Sequence, residues 1–306
     1  MIIVIFGLVS PGEFLTTTNF SSIFGSQAFV VFLVLALVIV LRVGEFDLSV
    51  AATMTVAADL VAILNAEHGV PVVAAILVTL VAGACIGLAN GVLVVGFKVD
   101  SFIATLGMST VLGGVSLWIT NQETIVGVSS GLVSAVIGDR VFGIPLGFYY
   151  AIALAGLLGY LFSYTVLGRR MLFVGKNADV ARLGGFRVER LKIGAFVLTG
   201  LISAVAGVLF TGTRGSADPS SGLAYLLPVY AAAFLGSTTT RGGEFTAFGS
   251  VVAVYFLATA TQGLAIAGVE VYAQQMFYGG VLVVAIVVAK RLMREKRRQV
   301  VAVDTG

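Results

Sequence analysis

Apolar runs of the length that crosses a bilayer recur from one end of this 306-residue chain to the other. Residues 28–41, AFVVFLVLALVIVL, and 196–210, FVLTGLISAVAGVLF, are continuously apolar or small. A transmembrane helix needs about 20 such residues, whereas a membrane β-strand shows only about ten, alternating apolar with polar. The chain therefore reads as an all-α polytopic membrane protein. Its composition, 58% hydrophobic and 11% charged, agrees, because a soluble domain carries roughly a quarter charged residues.

Interruptions divide the chain into nine apolar intervals: 22–41, 49–64, 70–97, 102–120, 148–167, 193–213, 223–236, 245–266 and 272–289. The interval 223–236 is short and contains Pro228, which predicts a tilted, broken or partly inserted helix. The N-terminal MIIVIFGLV has neither a basic leader nor a cleavage site and is too short to span. It is read as the end of a truncated first helix, giving about ten helices in one transmembrane domain over 1–306.

Lysine and arginine collect on the cytoplasmic side of membrane proteins. Placing the C-terminal tail 290–306 there, with Lys290, Arg291, Arg294, Lys296, Arg297 and Arg298, puts Arg42, Lys98, Arg241 and the whole 166–192 loop on the same side. Only Arg140 and Arg214 fall outside. Both termini are then cytoplasmic. The outer loop 121–147 mixes apolar and polar residues with Gly and Pro and is expected to hold a short surface helix.

Enzyme constellations are missing. His68 is the single histidine, expected to be a solvated loop residue, and Cys85, the single cysteine, rules out an intrachain disulfide and is expected to pack in the core. GRRMLFVGKN spaces Gly168 and Gly175 too widely for a phosphate loop and puts Asn177 where Ser or Thr belongs. No catalytic, cofactor or metal site is read, and no nucleotide-hydrolysing one.

Glycines 83, 87 and 91 lie at four-residue spacing, which lines one helix face for close packing, and Asn90 beside them is placed to bond across helices. Ionisable or polar groups inside the membrane are costly and mark functional candidates. Asp59 is the foremost, with Asn90 and Gln262 as further candidates for a translocation path and Thr259 beside them. Asp47 is expected to cap the helix beginning near Ser49, and the turn RVGEFDLSV with Arg42 and Glu45 is read as a wetted inner turn.

In the inner loop 166–192, Asn177 is a good N-cap, Asp179 suits the first turn, and Gly184 and Gly185 terminate. A helix of about seven residues follows, running through Ala178, Asp179, Val180, Ala181, Arg182 and Leu183, with Val180 and Leu183 on one side. Such a helix suits docking in a partner's groove; the alternative is a basic turn attracted to anionic lipid.

Five stretches carry a resemblance over nearly the whole chain: FLTTTNF at 14–20, GEFDLSVA at 44–51, DSFIATLGMSTVLGGVSLWIT at 100–120, VGKNADVARLGGFRVERLKIGAFVLTGLISAVAGVLF at 174–210 and AAAFLGSTTTRGGEFTAFGSVVA at 231–253. The sequence resembles the permease subunits of ATP-binding-cassette sugar importers of the ribose, xylose and autoinducer-2 type. The resemblance implies a fold like that of the vitamin B12 importer's membrane subunit and a second permease subunit, identical or homologous. It further implies two cytoplasmic ATP-binding subunits carrying ATP-Mg, an external substrate-binding protein, a bacterial inner-membrane location and no nucleic-acid partner. It places the ATPase-docking coupling helix at 177–185. Glu45, Phe46 and Ala51 depart from the family pattern, as do Leu226, Leu227 and Pro228 where relatives have an acidic residue. A branched-chain amino-acid importer permease and an ion-coupled carrier using Asp59 stand as alternatives.

Overall fold

A computed structural model describes residues 2–240 and 243–304. Arg241 lies outside the described residues, as do the side chains of the basic tail from Met293 onward. Helices α1 (Ile2–Val9) and α2 (Pro11–Phe14) precede α3 (Thr17–Ser26) and α4 (Ala28–Arg42), a pair bent by 41° that together suffices to span. α5 (Val50–Ala62) ends in a π-helical turn, Ile63–Glu67, and α6 (Val72–Gly91) in another, Val92–Gly96. After α7 (Ser101–Ile119) come β1 (Ile125–Val126), the short α8 (Ser130–Val133), the hairpin β2 (Arg140–Val141) and β3 (Ile144–Pro145), and α9 (Leu146–Tyr164). The inner loop folds as α10 (Val166–Lys176) and α11 (Ala178–Leu183), and α12 (Val188–Arg214) leads through β4 (Ser216–Ala217) to α13 (Leu223–Thr238), α14 (Ala247–Ile266) and α15 (Val271–Asp304).

Each of the nine apolar intervals holds a helix. Among the described residues, seven helices are long and apolar enough to cross a membrane, or eight with the bent pair. α13, with 16 residues, and α1, with 8, fall short, so ten full crossings are not reached by length.

Helix α4 is apolar all round and every one of its residues is buried, which makes it the axis of the bundle. It packs against α9, α12, α13 and α14. Lipid offers no hydrophobic drive between helices, so backbones must approach closely enough for dispersion to hold them. The glycine stripe does this: a Cβ on Gly83 would lie 2.6 Å from Gly200 O, and one on Gly87 would overlap Phe196 O. α6 therefore lies backbone to backbone on α12. Cys85, expected in the core, is exposed on the same helix; an apolar run facing lipid has no need to bury its far side.

One end of the bundle gathers the basic residues of the 166–192 loop, and the other carries the small strands. At that far end β1 pairs antiparallel with β4, Ile125 opposite Ala217, and Asn65 Oδ1 accepts from Ser129 N at 2.8 Å. The outer loop holds a short helix as expected, but Leu132 and Val136 bury it against the bundle instead of leaving it on the surface. His68 is exposed, as expected.

Candidate functional site

At the basic end, Asn177 caps α11: its Oδ1 accepts from Asp179 N and Val180 N, each at 3.1 Å. Gly185, at φ +79, turns the chain out of the helix in a conformation that glycine adopts freely. Ala181 is buried against Val174 and Val188, so α11 is anchored on α10 and α12. Leu183 is 90% exposed and Val180 half exposed, on the side away from that anchor. Arg182 bonds Asp179 and Glu189, each at 2.8 Å, and the hydrogen bond to Glu189 raises its already high pKa. A small rigid helix thus presents apolar side chains outward. The preceding α10 is capped by Thr165, a signal that sequence reasoning missed, and buries Gly168, Met171 and Val174.

The charges of the RVGEFDLSV turn are not wetted, although Gly44 and Phe46 between them are exposed. Arg42 is buried; its Nη1 donates to Phe245 O at 2.7 Å, its Nη2 to Phe162 O at 3.3 Å, and the guanidinium lies 4.5 Å from the Phe162 ring centre. Glu45 pairs with Lys192 on α12. Non-helical backbone survives inside a membrane protein only where other protein groups satisfy it, and here α7 does so. Phe46 N donates to Ser101 Oγ at 3.1 Å and Leu48 N to Thr105 Oγ1 at 3.0 Å. Asp47 is buried too, accepting from Ser49 N at 2.8 Å and Ser49 Oγ at 2.6 Å, while Ser49 is the N-cap residue without a side-chain cap of its own. Asn90 Nδ2 extends the chain by donating to Ser49 Oγ at 2.7 Å, the cross-helix bond expected of it.

Further along α5, Asp59 is fully buried. Ser116 of α7 donates to its Oδ2, and Oδ1 has no hydrogen-bond partner among the described residues. Asp218 lies near enough to interact with it electrostatically. Asp218 belongs to the segment DPSSG, 218–222, which explains the short α13. A Cβ on Gly222 would overlap Thr55 Oγ1 and lie 2.9 Å from Ala51 O, so this segment runs against the side of α5 before α13 begins. Asp218 Oδ1 accepts from Ser220 N and Ser220 Oγ at 2.9 and 2.8 Å. α5 is thereby flanked by two non-helical segments, 43–49 and 218–222, and carries buried Thr53, Thr55 and Asp59 between them.

A family model described as "Branched-chain amino acid transport system / permease component" matches residues 19–286. The chain belongs to this permease family. Among curated proteins it is similar to the D-allose transport system permease protein of Escherichia coli (strain K12), 30% identical over 94% of this chain and 87% of that protein. It is also similar to the ribose import permease protein of Bacillus subtilis (strain 168), 31% identical over 95% and 90%, and to the L-arabinose ABC transporter permease protein of Azospirillum brasilense, 30% identical over 94% and 84%. No solved structure matches.

Within this permease, two of the three residues singled out for a path meet on α5: Asp59 lies in its last turns, and Asn90 of α6 bonds Ser49 at its start. Gln262 on α14 is exposed, and Thr259 is only half-buried; neither joins them. Sequence reasoning missed Ser116, the burial of Asp47 and the 218–222 segment. The last had a signal: a short apolar run after a polar, Pro- and Gly-containing stretch is the mark of a discontinuous helix.

Proposed function

We propose that the chain is the membrane permease subunit of an ATP-driven importer for a sugar or related small polar solute. It works with a second permease subunit, two cytoplasmic ATP-binding subunits holding ATP-Mg and an external substrate-binding protein. It hydrolyses nothing itself and binds no cofactor, metal or nucleic acid, and its basic end with both termini faces the cytoplasm across a bacterial inner membrane. Relatives named for allose, ribose and arabinose support the sugar reading; the description of the family model is what favours branched-chain amino acids as cargo.

The observation that carries the proposal is α11, an anchored, capped helix that leaves Leu183 90% exposed. Large exposed apolar groups on a rigid element fit a groove in a partner. Closure of the ATP-binding subunits would displace α11, and α10 would pass the movement to the 42–49 segment. Packed elements of this kind shift between discrete arrangements instead of deforming. Substrate would then pass beside α5, where Asp59, Ser116, Asp218 and Ser220 offer hydrogen bonds to hydroxyl groups, and selection would rest with the binding protein.

Leu183→Asp tests the docking step. The variant should fold and span normally yet fail to retain a co-expressed ATP-binding subunit on purification; unchanged retention and transport would remove α11 from the mechanism.

A further inference from the structure

On the basic end, between α10 and the start of α12, lies a cavity of about 400 Å³ lined by Arg170, Arg187 and Arg190 above Leu167, Phe186 and Leu191. We propose that this cavity seats the headgroup phosphate of an anionic phospholipid, with the three guanidiniums on the phosphate and the apolar floor under the upper acyl chain. The proposal does not depend on the cargo or on the docking role of α11; of the 177–185 segment only Gly185 lines the cavity.

Charge complementarity is the first argument. Of the four other described cations of the 166–192 loop, Arg169 is exposed, forms no ion pair among the described residues and lies outside the cavity, and three are paired. Lys176, Arg182 and Lys192 are paired with Glu244, Asp179 and Glu189, and Glu45. By contrast, Arg170, Arg187 and Arg190 form no ion pair among the described residues; Arg170 only rests over the Phe186 ring, 5.6 Å from its centre. Three positive groups lining one concavity repel one another unless an anion joins them. Guanidinium forks match phosphate oxygens in geometry as well as charge.

Depth is the second, independent argument. The last turns of α9 carry Tyr160 and Tyr164, both exposed and stacked at 5.6 Å, immediately before the chain turns at Thr165 into α10. Exposed tyrosines at a span's end mark the headgroup level of a bilayer. On the other side of the cavity, α12 starts at Val188, and its apolar stretch begins at Ile193, just past the cavity's Leu191. The cavity therefore opens between the end of one span and the beginning of the next, where a phosphate with acyl chains reaches it from the membrane. Basic pockets between spans on the cytoplasmic side are a known form of lipid recognition.

The test is native mass spectrometry of the full chain released from phosphatidylcholine vesicles containing a minority of phosphatidylglycerol. Each arginine near the surface is worth roughly fivefold in affinity for an anionic lipid, so Arg170→Gln, Arg187→Gln and Arg190→Gln together should weaken retention of phosphatidylglycerol about a hundredfold. Arg190→Gln alone should cost about fivefold and keeps the experiment readable if the triple variant fails to assemble. A control with the same loss of charge, Lys98→Gln, Lys290→Gln and Arg291→Gln, removes exposed cations elsewhere and should retain most of the lipid. Equal losses in the two triple variants would reduce the effect to diffuse surface potential and overturn the site. Unchanged lipid together with loss of a co-purifying ATP-binding subunit would assign the cavity to a protein and overturn it as well.

Discussion

Gly44 and Gly175 touch through their backbones: a Cβ on Gly44 would lie 3.1 Å from Gly175 O, and one on Gly175 would overlap Arg42 O. Gly44 stands at φ +83, so it needs glycine for conformation and Gly175 needs it for space. The contact fastens α10, and α11 behind it, to the segment that leads into α5.

Substituting Gly175 by Val should therefore force this contact apart. Overpacking of a tight interior costs about 1–3 kcal/mol, and here the neighbouring atoms are backbone, which yields little. We expect lower thermal stability in detergent, with ATP hydrolysis of the assembled transporter no longer matched by transport. Wild-type stability and transport in Gly175→Val would show that the two elements are not held together.

The Glu45–Lys192 pair joins the same segment to α12, with side-chain exposures of 13% and 17%. Loss of one partner, in Glu45→Gln or Lys192→Met, should cost about 2–3 kcal/mol, between the small value of exposed pairs and that of fully buried ones. The exchange Glu45→Lys with Lys192→Glu should recover part of it. Unfolding of the two single variants and the exchange in detergent measures this, and equal loss in all three would make the pair incidental.

Asp59 of α5 and Asp218 of the 218–222 segment lie near enough to interact electrostatically, one bonded to Ser116 and the other to Ser220. If both line the path, Asp59→Asn and Asp218→Asn should each lower uptake roughly tenfold, the worth of one charge-assisted hydrogen bond, while assembly with the ATP-binding subunits is unchanged. Ser116→Ala, which leaves Asp59 without its donor, should instead destabilise by about 1–3 kcal/mol. Wild-type uptake in both Asp variants would dismiss the path.

Local signals were legible in the sequence, and long-range ones were not. Asn177 and Gly185 mark α11 because caps act within a few residues. The Gly83, Gly87 and Gly91 stripe pointed to close packing, and its partner is the backbone of α12 around Phe196 and Gly200. The burial of Arg42 and Asp47 was misread because a run of charges between apolar segments usually marks a solvated turn. Here the hydroxyls of Ser101 and Thr105, more than fifty positions away in the chain, take up the backbone N–H groups that water would otherwise satisfy. Likewise the shortness of α13 was visible, but its cause, the packing of Gly222 on Thr55, lies in contacts between distant segments.

The most direct test of the account is uptake in proteoliposomes holding the permease with its ATP-binding subunits and binding protein. Uptake of a sugar delivered by that binding protein should require ATP and both partner subunits, and should persist when the proton gradient is collapsed. Uptake by the permease alone that follows the proton gradient would contradict the account and make Asp59 the coupling carboxylate of an ion-driven carrier.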